Sequence, residues 1–239
     1  AAESNVTYAT GSQVATFDST VAGASRTFVP KDTSGAGVTH DPATIKCNQW
    51  PAFHCDGVDP LTQRFVDENN IGPHDDAFTM VYVGEVEDNV VTRIPYHARY
   101  NNNSSNYLSL QYYTSGKSRV QVGGGTYPTS HDTVFNAPEI YTTRWDVNGT
   151  NEVQAILEKT SIYGPTVREP GLHGLGWFEI FCNGLESVMK GKVSLLLYYE
   201  RALSDEEIGL VVDLCNYWLL NGEAPPTTPP AEGTSTSFG

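Results

Sequence analysis

"YYERALSDEEIGLVVDLCNYWLLNG", residues 198–222, reads as one capped helix in a chain otherwise made of strands and turns. Ser204 followed three residues later by Glu207 is a capping box, in which each side chain satisfies an otherwise orphaned backbone N–H of the first helical turn. Leu203 before the cap and Ile208 after it form a hydrophobic staple. Ile208, Val211, Val212, Cys215 and Leu219 then share one face at helical spacing, and Asn221-Gly222 ends the helix. An apolar stripe of this kind has to be covered. The rest of the chain supplies the cover as strands.

Upstream, "DDAFTMVYVGEVED" (75–88) alternates Phe78, Met80 and Tyr82 with Thr79 and Val81, a period-2 strand with at least one buried face. "NYLSLQYYTSGKSRVQVGGG" (106–125) reads as a hairpin: Leu108, Leu110 and Tyr112 lie on one face and "TSGK" supplies the turn. Further short strands follow at "EIYTTRWDV", "EVQAILEK", "GWFEIFC" and "GKVSLLLYYE". Many short strands divided by turn residues, with one terminal helix, predict an all-β sandwich clasped by that helix. At 239 residues the chain is long enough for one such domain. Three regions are expected. Residues 1–60 form an N-terminal arm and loop packed on the sandwich, residues 61–222 the sandwich itself, and residues 223–239 a Pro/Thr-rich tail of linker composition.

Charge narrows the partners. With 28 acidic against 14 basic residues the net charge is −14, which repels phosphate backbones and anionic membrane surfaces. No run reaches the ~18 apolar residues that a membrane-spanning helix needs. Asn5, Asn102, Asn103 and Asn148 each head an N-glycosylation triplet, and the chain opens at Ala1 rather than Met. Together they suggest an exported, extracellular glycoprotein. Four cysteines allow three pairings. Cys47 and Cys55 bracket "CNQWPAFHC" and are expected to close a short ring, which leaves Cys182 with Cys215. The alternative is four buried thiols.

Several motifs with known chemistry fail on spacing. "SGKS" (115–118) lacks the upstream glycine of a phosphate-binding loop, and there is no Gly-x-Ser-x-Gly elbow. The histidines His40, His54, His74, His97, His131 and His173 show no metal-binding spacing and read as scattered loop residues. Glu85 and Glu87 stand two apart on one strand, as a glycosidase pair would, but the third carboxylate of a glucanase triplet is missing. "YHARY" (96–100) places His97 and Arg99 on one strand face, as a polysaccharide lyase would. Trp50 and Phe53, with His54 and Asp56 beside them, are candidates for a saccharide-stacking platform. Glu68, Asn70, Asp75 and Asp76 supply the oxygen ligands that Ca²⁺ prefers.

"GKVSLLLYYERALSDEEI" (191–208) resembles the closing motif of laminin-G-like domains of the concanavalin A-like jelly-roll class. "AFTMVYVGE", "YLSLQYYTSGKSRVQV" and "VQAILEK" are similar to that family's core strand, middle hairpin and later strand. The resemblance spans about residues 76–215 and leaves the N-terminal residues unaligned. It implies a jelly-roll sandwich without catalytic residues, serving adhesion or recognition of glycans and matrix glycoproteins. The rival expectation is a structural subunit of an extracellular filament, joined to its neighbours through residues 1–30 and 223–239.

Overall fold

The computed structural model describes residues 6–19, 26–30, 34–35, 37–59, 63, 65–67, 77–99, 107–122, 125–126, 131–145, 152–167, 177–181, 187–199 and 201–222. Among them nineteen strands and one helix form. The N-terminal strands are β1 (Val6–Thr10), β2 (Gln13–Ser19), β3 (Arg26–Pro30) and β4 (Thr39–His40). Next come β5 (Lys46–Cys47), β6 (Trp50–Pro51), β7 (Phe53–Asp56) and β8 (Phe65–Asp67). The central strands are β9 (Phe78–Val86), β10 (Arg93–Arg99), β11 (Tyr107–Tyr112), β12 (Lys117–Val122), β13 (Gly125–Thr126) and β14 (His131–Asp132). They are followed by β15 (Glu139–Trp145), β16 (Glu152–Leu157), β17 (Thr160–Val167), β18 (Trp177–Ile180) and β19 (Lys190–Tyr199), and the chain closes on α1 (Asp205–Asn221).

Antiparallel pairing arranges these strands in two layers. One runs β17-β16-β15-β9-β19-β7-β4-β2-β1. The other runs β3-β8-β18-β10-β11-β12-β14. The β2–β3 ladder joins them into a continuous sheet folded over on itself. Phe78, Met80, Tyr82, Tyr141 and Trp145 of the first layer meet Phe28, Phe65, Tyr96, Leu108, Leu110 and Val120 of the second in one apolar core. The outer face of the first layer carries a second core. There Val81, Val83, Ile140 and Ile156 receive Ile208, Val212, Cys215 and Leu219 of the helix. β9 is therefore buried along its whole length, which is why its sequence is almost continuously apolar.

The helix forms as its capping residues require. The Ser204 side chain accepts from the Glu207 N–H, the Glu207 carboxylate accepts from the Ser204 N–H, and Gly222 takes the left-handed conformation (φ 75°) that ends it. Thr79 on β9 locks the approach: its hydroxyl donates to the Arg201 carbonyl at 2.9 Å and accepts from the Leu203 N–H at 2.8 Å.

The described N-terminal strands belong to the sheet itself. β2 and β3 have partners on both edges, and β4 and β7 extend the first layer beside β19. That leaves their edges occupied inside the molecule rather than open to a neighbour. The expected Cys47–Cys55 ring is corrected as well. Cys47 faces the helix-side core and Cys55 the sandwich core, so the two side chains point away from each other and are not bridged. Cys215 is a buried thiol, and Cys182 lies outside the described residues.

Candidate functional site: a polar sheet face

β11 alternates strictly. Leu108, Leu110 and Tyr112 enter the sandwich core, so Ser109 and Gln111 turn to the opposite face of the second layer. The same alternation on β10 places His97 there, directly opposite Ser109 on one side and Glu179 of β18 on the other. Directly opposed residues in such a ladder have Cβ atoms ~4.5–5.5 Å apart, so the three form a row across three strands. Arg119 of β12 lies opposite Gln111 and extends it.

An outer sheet face is ordinarily apolar where it is covered, or charged where it meets water. This one is polar and buried: Glu179 and Ser109 are fully enclosed, Gln111 is 5% exposed and His97 9%. Arg119 and Tyr113, only half-buried, open its far end. From Ser109 to Arg119 the row is hydrogen-bonded. The Gln111 Nε2 donates to the Ser109 Oγ at 2.8 Å, and its Oε1 accepts from the Arg119 Nε (3.1 Å) and Nη2 (2.9 Å) and from the Tyr113 hydroxyl. The Arg119 guanidinium also lies over the Tyr113 ring, 3.8 Å from its centroid. A carboxylate as enclosed as Glu179 requires donors or a counter-charge; the imidazole of His97 stands across the ladder from it.

Apart from His97, the described residues singled out from sequence fall elsewhere. Trp50 packs on Trp218 of α1, with ring centroids 4.6 Å apart, while Phe53 points into the sandwich against His40. His54 contacts Glu87 at 2.9 Å, and Asp56 accepts from the Val58 N–H and from Gln63. These four side chains serve the helix clasp, the core and a charged edge, and do not share one surface. Glu85 and Glu87 do project from the same side of their strand, but Glu85 is buried against Lys192 at 2.5 Å and Glu87 is held by His54. Both carboxylates are tied down by neighbouring side chains. His97 is on the polar face; nothing is described of the Arg99 side chain. The expectation of loop histidines is corrected for His40, His54, His97 and His131, which all lie in strands. Asn5, Asn102, Asn103, Asn148, Glu68, Asn70, Asp75, Asp76 and the tail 223–239 lie outside the described residues. Among the described residues no group of three or more His, Cys, Asp or Glu side chains could hold a metal ion. No described helix is long and apolar enough to cross a membrane.

Glu179 had a readable signal: a lone acid between Phe178 and Ile180 in a strand that is otherwise apolar. Ser109 and Gln111 had a fainter one, as the polar half of an alternation noticed for its apolar half.

The sequence matches no family model and no curated protein. The fold does have solved counterparts. Trypanosoma rangeli sialidase aligns with 90% of this chain at a TM-score of 0.61 and 13% identity, and the same sialidase in complex with 2,3-difluorosialic acid at 0.62 and 14%. Domain 4 of AbnA, a GH43 extracellular arabinanase from Geobacillus stearothermophilus, in complex with arabinotriose, aligns with 79% at 0.61 and 12% identity. The chain spans about a third of the sialidases' length (32%) and 88% of the arabinanase domain.

These comparisons overturn the laminin-G-like, concanavalin A-like reading. The all-β architecture stands, but its solved counterparts are sialidases and a domain of an arabinanase. The closing motif "YYERALSDEEI" reflects what any helix clasped onto an outer strand needs, a cap and a staple, and does not discriminate one sandwich family from another. The expectation of a non-catalytic adhesion protein falls with the resemblance that carried it.

Proposed function

We propose that this chain is a saccharide-engaging part of a carbohydrate-active enzyme, with the sugar held at the open end of the polar face, where Arg119 and Tyr113 are braced by the buried Gln111. The supporting observation is the row itself: planar amide and guanidinium groups, fixed by one another, beside an aromatic ring on a sheet face. Hydroxyl-rich ligands are gripped by pre-oriented groups of that kind because little ordering remains to be done on binding. The company the fold keeps supports the same reading, since one counterpart holds arabinotriose and others are sialidases. Export fits the four glycosylation triplets.

Calorimetric titration with arabinotriose and with sialic acid, together with product analysis on arabinan and sialylated glycans, tests this. Binding to at least one, weakened tenfold or more by Gln111→Ala or Arg119→Ala, is expected. Absence of binding and turnover on every substrate would overturn the reading.

A further inference from the structure

Behind the polar face, on the core side of the same strand, is a second polar cluster that the site does not use. Glu139 begins β15 directly across the ladder from Gly84 of β9. Gly84 has no side chain, and the space is taken by Tyr82: a Cβ at position 84 would lie 2.3 Å from the Tyr82 hydroxyl oxygen. That hydroxyl therefore rests beside the Glu139 carboxyl. Tyr112 of β11 comes in from the other layer, and both tyrosine hydroxyls are fully buried, close to each other and to the Glu139 carboxyl but short of regular hydrogen-bond geometry. Glu139 itself has one backbone donor, the Val134 N–H at 3.2 Å.

Several described elements around Glu139 present titratable groups. β14 presents His131, whose Nε2 is 3.9 Å from the carboxylate oxygen. β9 presents Tyr82, with Glu85 on the same strand; β11 presents Tyr112; the turn after β16 presents Glu158; and β15 itself carries Tyr141. Burial pushes the Glu139 carboxyl up to about 7, against the pull of the Val134 N–H and of Tyr112, with Glu158 pushing further up. Two hydroxyls that stop short of a regular hydrogen bond to the carboxyl fit its neutral form, because a buried carboxylate draws in every donor within reach.

Tyr112 is flanked in the chain by Gln111 and Tyr113, which point the other way into the polar face. We propose that Glu139 is a positioning residue for the saccharide-binding face, acting through Tyr112 on the Gln111–Tyr113–Arg119 cluster, so that its protonation state tunes the grip on the sugar. When Glu139 is neutral the cluster holds the hydrogen-bonded arrangement described above. When it ionises, the carboxylate draws the Tyr112 hydroxyl toward β15, and β11 carries Gln111 and Tyr113 with it. The inference rests on the polar face being the saccharide site.

Two measurements on the whole chain test it between pH 5.5 and 8.5. Calorimetry with arabinotriose and sialic acid reads the affinity; nuclear magnetic resonance of the Gln111 side-chain amide and the Arg119 Nε–H reads the cluster without any sugar. The wild-type cluster signals are expected to shift through a single transition near pH 7, with affinity at least about fivefold weaker on the alkaline side, the low end of typical coupling between sites. Glu139→Gln, an isostere of the neutral acid, is expected to keep the low-pH signals and affinity throughout, and Tyr112→Phe to abolish the transition. A Glu139→Gln protein that retains the wild-type transition, or a wild type without one, overturns the inference. If neither sugar binds at any pH, the functional reading fails while the cluster signals still decide the positioning role.

Discussion

The Arg144 guanidinium, almost wholly buried in β15, reaches the exposed carboxylate of Asp205 at 2.6 Å in the first turn of α1. On its way it donates to the Leu203 carbonyl at 2.6 Å and to the Gln154 Oε1. One side chain thus ties the central sheet to the entrance of the clasp. The partners differ in what they lose without it. Arg144→Met strands a buried carbonyl and a buried amide oxygen, at a cost of about 2–4 kcal/mol. Asp205→Ala removes a contact that water already shares and costs less than about 1 kcal/mol. Urea unfolding of the two variants should separate them clearly; equal losses would mean that the ion pair, not the buried hydrogen bonds, holds the helix in place.

The Glu139 carboxyl gives stability a pH dependence of its own. Its folded value of about 7 lies above the ordinary 4.5, so between those values the folded chain holds a proton that the unfolded chain has released. The stabilising contribution is full below pH 4.5 and is lost as pH rises through 7, amounting to about 3 kcal/mol over that window. Asp88 acts in the opposite sense. Although burial pushes it up, Lys190 and Arg93 bring its carboxyl down to about 2, so its contribution is present above pH 3.8 and lost as pH falls toward 2. Thermal melts should therefore peak near pH 4–5, and Glu139→Gln should flatten the alkaline limb alone.

The helix-side core contains a polar atom that does nothing for it. Thr142 is fully buried on the face of β15 that receives α1, and its hydroxyl has no hydrogen-bond partner. Valine has the same shape without the unpaired hydroxyl. Thr142→Val is expected to raise stability by about 1 kcal/mol, read as a shift in the denaturation midpoint at unchanged slope. A loss of stability would show that the hydroxyl is satisfied, for instance by a buried water.

How much of this was legible beforehand follows the range of the forces involved. The helix was, because Ser204, Glu207 and Gly222 act within a single turn of chain. So was the inward face of the hairpin, because Leu108, Leu110 and Tyr112 report burial by simple alternation. The joining of β2 to β4, or of β18 to β8, was not, since such pairings are chosen by the whole core and leave no local mark. Glu139 was hidden for the same reason: its environment depends on Gly84 and Tyr112, which are distant in sequence and meet it only through cross-strand register and layer packing. The laminin-G-like resemblance went astray where local rules are least discriminating, at a helix cap that many folds share.

Cys47 and Cys215 offer a chemical check on the two-core arrangement. Both are wholly enclosed in the helix-side core, and burial pushes each thiol up to about 12. A thiol held in its neutral form and shielded from solvent reacts slowly, because the thiolate is the nucleophile. Native protein treated with iodoacetamide at pH 8 should leave both cysteines unlabelled, and brief unfolding without reductant should expose both to rapid alkylation, located by peptide mass. Substituting the helix residue Leu219, which seals that core, with alanine should accelerate labelling of Cys215, one turn away. Recovery of a Cys47–Cys55 cystine peptide from the unreduced protein would instead mean that the strand carrying Cys55 turns the other way, and the assignment of the two residues to separate cores would fall.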